Sequence, residues 1–92
     1  PIDPKTGKKI KDDVSLETKQ IMENIRAILE SENLSLNNVV KVTVFLRDIR
    51  DFQKMNDVYK EYFKDYQPAR TTVQAIPAGD VDIEIDAIAY IP

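Results

Sequence analysis

The sequence predicts an α+β fold in which two helices cover one face of a β-sheet. Two stretches repeat apolar residues at helical spacing, and three others are rich in β-branched residues with strand-like alternation. Their order, α-β-α-β-β, is interrupted by no long linker, low-complexity tract or internal repeat. The 92 residues suffice for one domain with a core of its own, yet are few enough that assembly can matter to stability.

The opening Pro1-Ile2-Asp3-Pro4-Lys5-Thr6-Gly7 reads as a turn, since Pro fixes φ while Asp and Gly supply turn geometry. Without an initiator Met it reads as a cut made within a domain, Met removal before Pro being the alternative. The basic cluster Lys5, Lys8, Lys9 and Lys11 runs straight into Asp12 and Asp13 and reads as a solvated turn. The first helix is expected from Ser15 as N-cap, with Glu17 in its first turn. Met22, Ile25, Ile28 and Leu29 form its apolar face, flanked by Leu16 and Ile21, and Glu32-Asn33 closes it.

A strand follows over Val39 to Leu46, with Val40, Val42, Val44 and Leu46 on one face and Lys41, Thr43 and Phe45 on the other. The second helix is expected to start after Asp51. Phe52, Met55, Tyr59, Tyr62, Phe63 and Tyr66 make its stripe, read as core, and Pro68 stops it. The remainder predicts a hairpin: Arg70 to Ile76, a turn over Pro77-Ala78-Gly79-Asp80, and Val81 to Ile91. Ile83, Ile85, Ala87 and Ala89 on one face of the last strand, with Ile88 and Tyr90 on the other, call for cover on both sides. A partner subunit is the simplest cover.

With no His and no Cys, the chain must work with guanidinium, carboxylate, hydroxyl and backbone groups. That excludes a thiol, a His-based triad and most zinc sites. A net charge of −3 argues against a general nucleic-acid binder. No apolar run reaches membrane-spanning length and no signal-peptide pattern opens the chain, so the expected address is the cytoplasm. In the expected hairpin, Arg70 falls opposite the Asp86 region and Thr72 opposite the Glu84 region. Such a cluster is either a structural ion pair or a clamp for a ligand carboxylate beside a water held by Glu84 or Asp86. Spacing alone leaves both open.

The run from Val39 to Asp48, then Asp51-Phe52, Asn56-Asp57-Val58-Tyr59, Tyr62-Phe63, Pro68-Ala69-Arg70 and Ile83-Glu84-Ile85-Asp86-Ala87-Ile88-Ala89, closely resembles the RidA family, also called YjgF. The Pro1-to-Gly7 turn and Asn24-Ile25-Arg26-Ala27-Ile28-Leu29 fit as well. The resemblance implies a chorismate-mutase-like fold, a homotrimer with clefts between subunits, and hydrolysis of reactive enamines and imines such as 2-aminoacrylate to 2-keto acids and ammonia. It implies that Arg70 binds the substrate carboxylate and Glu84 orients the water, leaving Asp86 secondary. Thr72, at a position often Cys in the family, would hold the ligand through its backbone, and Asn56 occupies a polar position of structural character. Neither metal nor cofactor is implied. Family members open with a β-hairpin carrying a Tyr and a Ser-Gly-Gln strand, and this chain starts just after it. Two other functions stay open: a binding module for 2-keto acids without turnover, and the ribonuclease or translation-inhibitor role once attached to the family, which the acidic balance and missing His disfavour.

Overall fold

In the computed structural model of the protein, residues 13–92 are described. The Pro1-to-Gly7 turn and the lysine cluster lie outside them. Helix α1 spans Val14–Ser31, strand β1 Val39–Leu46, helix α2 Phe52–Tyr62, strand β2 Ala69–Gln74 and strand β3 Ile83–Ala89. The sheet has three strands in the order β2-β1-β3, with β1 parallel to β2 and antiparallel to β3. This is the expected α+β fold with both helices on one face, but the expected β2–β3 hairpin is wrong. Helix α2 makes the crossover that a parallel pair requires, returning β2 alongside one edge of β1. Residues 75–82 then carry the chain past the end of β1 to its other edge, where Ala75 donates to the Leu46 carbonyl at 2.9 Å on the way. The centre goes to the strand with the most continuous apolar pattern.

Helix α1 starts earlier than expected. Asp13, not Ser15, is the N-cap, its carboxylate accepting the Leu16 N–H at 3.1 Å. The far end is as predicted: Glu32 caps the helix and Asn33 takes the left-handed conformation at φ 59°. The inward face is Val14, Glu17, Thr18, Met22 and Leu29, with Ile21 and Ile25 partly buried against the core. Ile28, expected on that face, is 66% exposed, because at roughly 100° per residue it falls well to the side of the line through Met22 and Leu29.

Strand β1 is irregular at its start. A bulge between Val39 and Lys41 turns Val39 inward and leaves Val40 exposed, so the buried set is Val39, Val42, Val44 and Leu46. A 3-10 turn over Ile49–Asp51, capped by the Asp48 side chain, leads into α2, and the Asp51 side chain at the N-cap makes no capping hydrogen bond among the described residues. Met55, Tyr59 and Phe63 are buried, and Phe52 and Tyr62 partly so. Tyr66 is exposed because the helix ends at Tyr62, well before Pro68.

The two helices are clasped by Tyr62, whose hydroxyl donates to Glu23 Oε2 at 2.7 Å. Arg26 grips the same carboxylate at 2.6 Å and lies over the Tyr62 ring. Hydrogen bonding from Arg26, then from Tyr62, holds the Glu23 carboxyl below its usual range. Met55 is completely buried in the single cluster shared by both helices and the sheet. We expect Met55→Ala to destabilise the fold by about 2–5 kcal/mol, measured by urea unfolding.

Candidate functional site around Arg70

Register decides where the site residues go. Arg70 is level with Val42 and Thr72 with Val44, so both point to the helix-covered side of the sheet. Glu84 pairs with Phe45 and Asp86 with Thr43, which places the two acids together on the uncovered side. The sequence-based expectation that Arg70 opposes Asp86 and Thr72 opposes Glu84 therefore fails: β1 lies between them and the sheet separates their side chains. Two strand spacings and three residues of rise put the Arg70 and Glu84 backbones roughly 14 Å apart within one chain. Among the described residues neither Glu84 nor Asp86 makes a side-chain hydrogen bond or ion pair.

Arg70 is half-buried and tightly held. Its Nη1 donates to Asn56 Oδ1 at 2.6 Å, and its guanidinium carbon lies 4.7 Å from the Tyr59 ring centre and 5.4 Å from that of Phe52. All three partners come from α2, one turn apart along one face, so the crossover helix that fixes β2 also fixes the arginine. Two ring faces stabilise a partly desolvated guanidinium by about 0.5–2 kcal/mol each. No carboxylate neutralises it among the described residues, and a cation kept without a counter-ion retains its affinity for an anionic ligand.

Beside this arginine lies an open hollow of about 420 Å³, walled by Asn56, Tyr59, Phe63, Gln67, Pro68 and Arg70, with Lys60 at its margin. Among the described residues the buried Tyr59 hydroxyl has no hydrogen-bond partner, and burial pushes its pKa up against the opposing pull of Arg70. The Thr72 hydroxyl is likewise buried and unpartnered. Among the described residues β2 pairs on one side only, so backbone groups on its outer edge can reach a ligand. The sequence marked Tyr59 and Phe52 as core: Tyr59 is buried in it and Phe52 packs partly buried against it. Their second role, as a cage for Arg70, had one signal: they share the helix face of Asn56.

A three-stranded mixed sheet under two helices, with an arginine on its edge strand that no described carboxylate neutralises, defines a small α+β protein with a cationic group at the sheet margin. A family model described as Endoribonuclease L-PSP matches residues 1–91, and the chain belongs to that family, the RidA family of the sequence motifs. It is 56% identical over 92 residues to a RutC family protein of Pyrococcus horikoshii, covering 98% of this chain and 72% of that one. A 2-iminobutanoate/2-iminopropanoate deaminase of Salmonella typhimurium is 43% identical over 93 residues, covering 97% and 72% respectively. Among solved structures, E. coli TdcF with bound serine superposes with a TM-score of 0.90 at 38% identity, covering 100% of this chain and 75% of that one.

If Asn56 holds Arg70, Asn56→Ala leaves a partly buried guanidinium short of a partner. Urea unfolding should then show a loss of about 1–3 kcal/mol.

Proposed function

We propose that the protein hydrolyses reactive 2-imino acids, such as 2-iminopropanoate and 2-iminobutanoate, to 2-keto acids and ammonia. The observation that carries this reading is Arg70, caged by Asn56, Tyr59 and Phe52 with no carboxylate partner among the described residues, beside an open hollow. The deaminase name borne by the Salmonella relative supports it. Arg70 pairs with the substrate carboxylate in a charge-assisted contact worth about 1.5–3 kcal/mol. Glu84 takes a proton from water as the oxygen bonds to the imine carbon, and the C=N π electrons pass to the nitrogen, which is protonated from solvent. Glu84 then returns its proton to the amine of the tetrahedral adduct, and ammonia leaves as the hydroxyl gives up its proton to solvent and the C=O bond forms. An imine is already electrophilic, so positioning and modest acid–base help suffice.

Arg70 and Glu84 lie on opposite faces of one sheet and cannot meet on one ligand within a single chain. The reaction as proposed therefore needs a second copy to bring its Glu84 to the margin of β2. This is the intersubunit cleft of a trimer. Support comes from the uncovered face, where Ile88 is 60% and Val73 37% exposed beside the two acids. Asp86, exposed on that face, is a secondary acid.

Two experiments test the reading. Light scattering should give a trimer for the folded protein. With a PLP-dependent dehydratase generating the imine, Arg70→Ala should raise KM by about 10–100-fold, while Glu84→Gln should lower kcat by about 10²–10⁴-fold. Binding of 2-keto acids through Arg70 with no acceleration of imine decay would identify a carboxylate sensor and overturn the hydrolase.

A further inference from the structure

Glu17 sits in the first turn of α1, where an acid ordinarily faces water and favours the helix dipole, yet it is completely buried. Its Oε1 accepts the Asp82 N–H at 2.9 Å, while its Oε2 is buried with no hydrogen-bond partner among the described residues. Asp82 stands just ahead of β3, and its carbonyl accepts the Arg47 N–H at 2.9 Å at the end of β1. One interior carboxyl thus connects the start of α1 to the point where β3 joins the sheet.

The surroundings of Glu17 disfavour charge. Burial, then the Asp82 side chain, which can accept a hydrogen bond only from a protonated Glu17 and repels an ionised one, push Glu17 from 4.5 up to about 7, against the pull of the Asp82 amide. Among the described residues, the other charged groups at this corner are Asp13 at the α1 cap and Asp51 and Lys54 at the start of α2, which border an open hollow with Asp82. Arg47 comes from the end of β1, its Nε 4.0 Å from the Asp82 carboxylate and 3.0 Å from the Val81 carbonyl. Neither Arg47 nor Lys54 pairs with Glu17 among the described residues. Ionised, Glu17 would hold a buried charge with one amide donor and a like charge beside it, a costly arrangement.

We propose that Glu17 works as a neutral acid, its Oε2 proton facing the Asp82 carboxylate and latching the first turn of α1 to the strand that carries Glu84. It is a positioning residue, and its catalytic consequence rests on the reading of Glu84 given above. The latch itself does not. No His is present in the chain, so no other side chain has an ordinary pKa between 5 and 8. Because the folded-state pKa lies above the unfolded one, the contribution of Glu17 to stability is complete below about 4.5 and is lost as pH rises through about 7.

Carboxyl carbon NMR on the whole protein, wild type beside Glu17→Gln, tests this directly. We expect one Glu resonance to titrate near pH 7 in the wild type and to be missing from the variant. Exchange protection of the Arg47 amide and the shift of the Glu84 amide should follow the same midpoint, and both should lose that midpoint in Glu17→Gln, a neutral mimic. A Glu17 resonance titrating in the ordinary carboxyl range overturns the latch, and so do identical amide profiles in the two proteins. Should Glu17→Gln fail to fold, Asp82→Asn serves instead: removing the like charge must lower the Glu17 midpoint, and an unchanged midpoint overturns the proposal. None of these readouts needs turnover, so absent imine hydrolysis would count against the function and not against the latch.

Discussion

Strand β1 is the only one of the described strands paired along both edges, and it also lines the core through Val39, Val42, Val44 and Leu46. Each other element takes its place by reference to it. A strand buried this deeply must satisfy its backbone groups on both sides, and the two neighbours do so with opposite polarity. The parallel neighbour needs a crossover, and α2 supplies it while adding Met55, Tyr59 and Phe63 to the core. The antiparallel neighbour needs the chain to pass the end of β1. There Arg47 accompanies the passing segment, donating to the Val81 carbonyl.

The same constraint shapes the chemistry. Because β2 is set at the sheet margin by α2, Arg70 is bracketed by side chains of that one helix and has no acidic partner among the described residues. Because β3 is on the far side of β1, Glu84 and Asp86 emerge on the other face. The sheet thus separates an arginine-bearing edge from an acidic face. An isolated copy carries both groups but cannot apply them to one molecule.

Much of this was legible in the sequence. The helices, the strands and the inward residues Met22, Val42, Val44, Leu46, Met55, Tyr59, Phe63, Ile83 and Ile85 follow from periodicity, because burial on one face leaves a repeating trace. Strand order left none. Residues 70–91 read as a hairpin because two strands separated by a Pro-Gly turn are ordinarily neighbours, and nothing local reveals that a third strand lies between them. Val40 and Val39 exchanged places for a similar reason, since a bulge shifts the phase of the alternation without marking the sequence. Glu17 was placed correctly in the first turn of α1, but an acid there ordinarily points to water, so its burial could be found only from the tertiary contact with Asp82. Arg70 and Thr72 stood out by their strand positions and again by family motif, Asn56 by motif alone, and the 2.6 Å contact between Arg70 and Asn56 turns a polar position into a tether.

The pairing of Val39 with Ala89 and of Leu46 with Ile83 has a kinetic consequence. During synthesis the helices, β1 and β2 emerge first and can assemble from contacts close in sequence, whereas β3 arrives only after the long detour of residues 47–82. Until then one edge of the valine-rich strand has no native partner, and such an edge is a template for pairing with other chains. The nascent protein is therefore most prone to aggregate in the interval between translation of β2 and docking of β3, and speeding that docking should raise soluble yield even where the stability of the finished fold is unchanged.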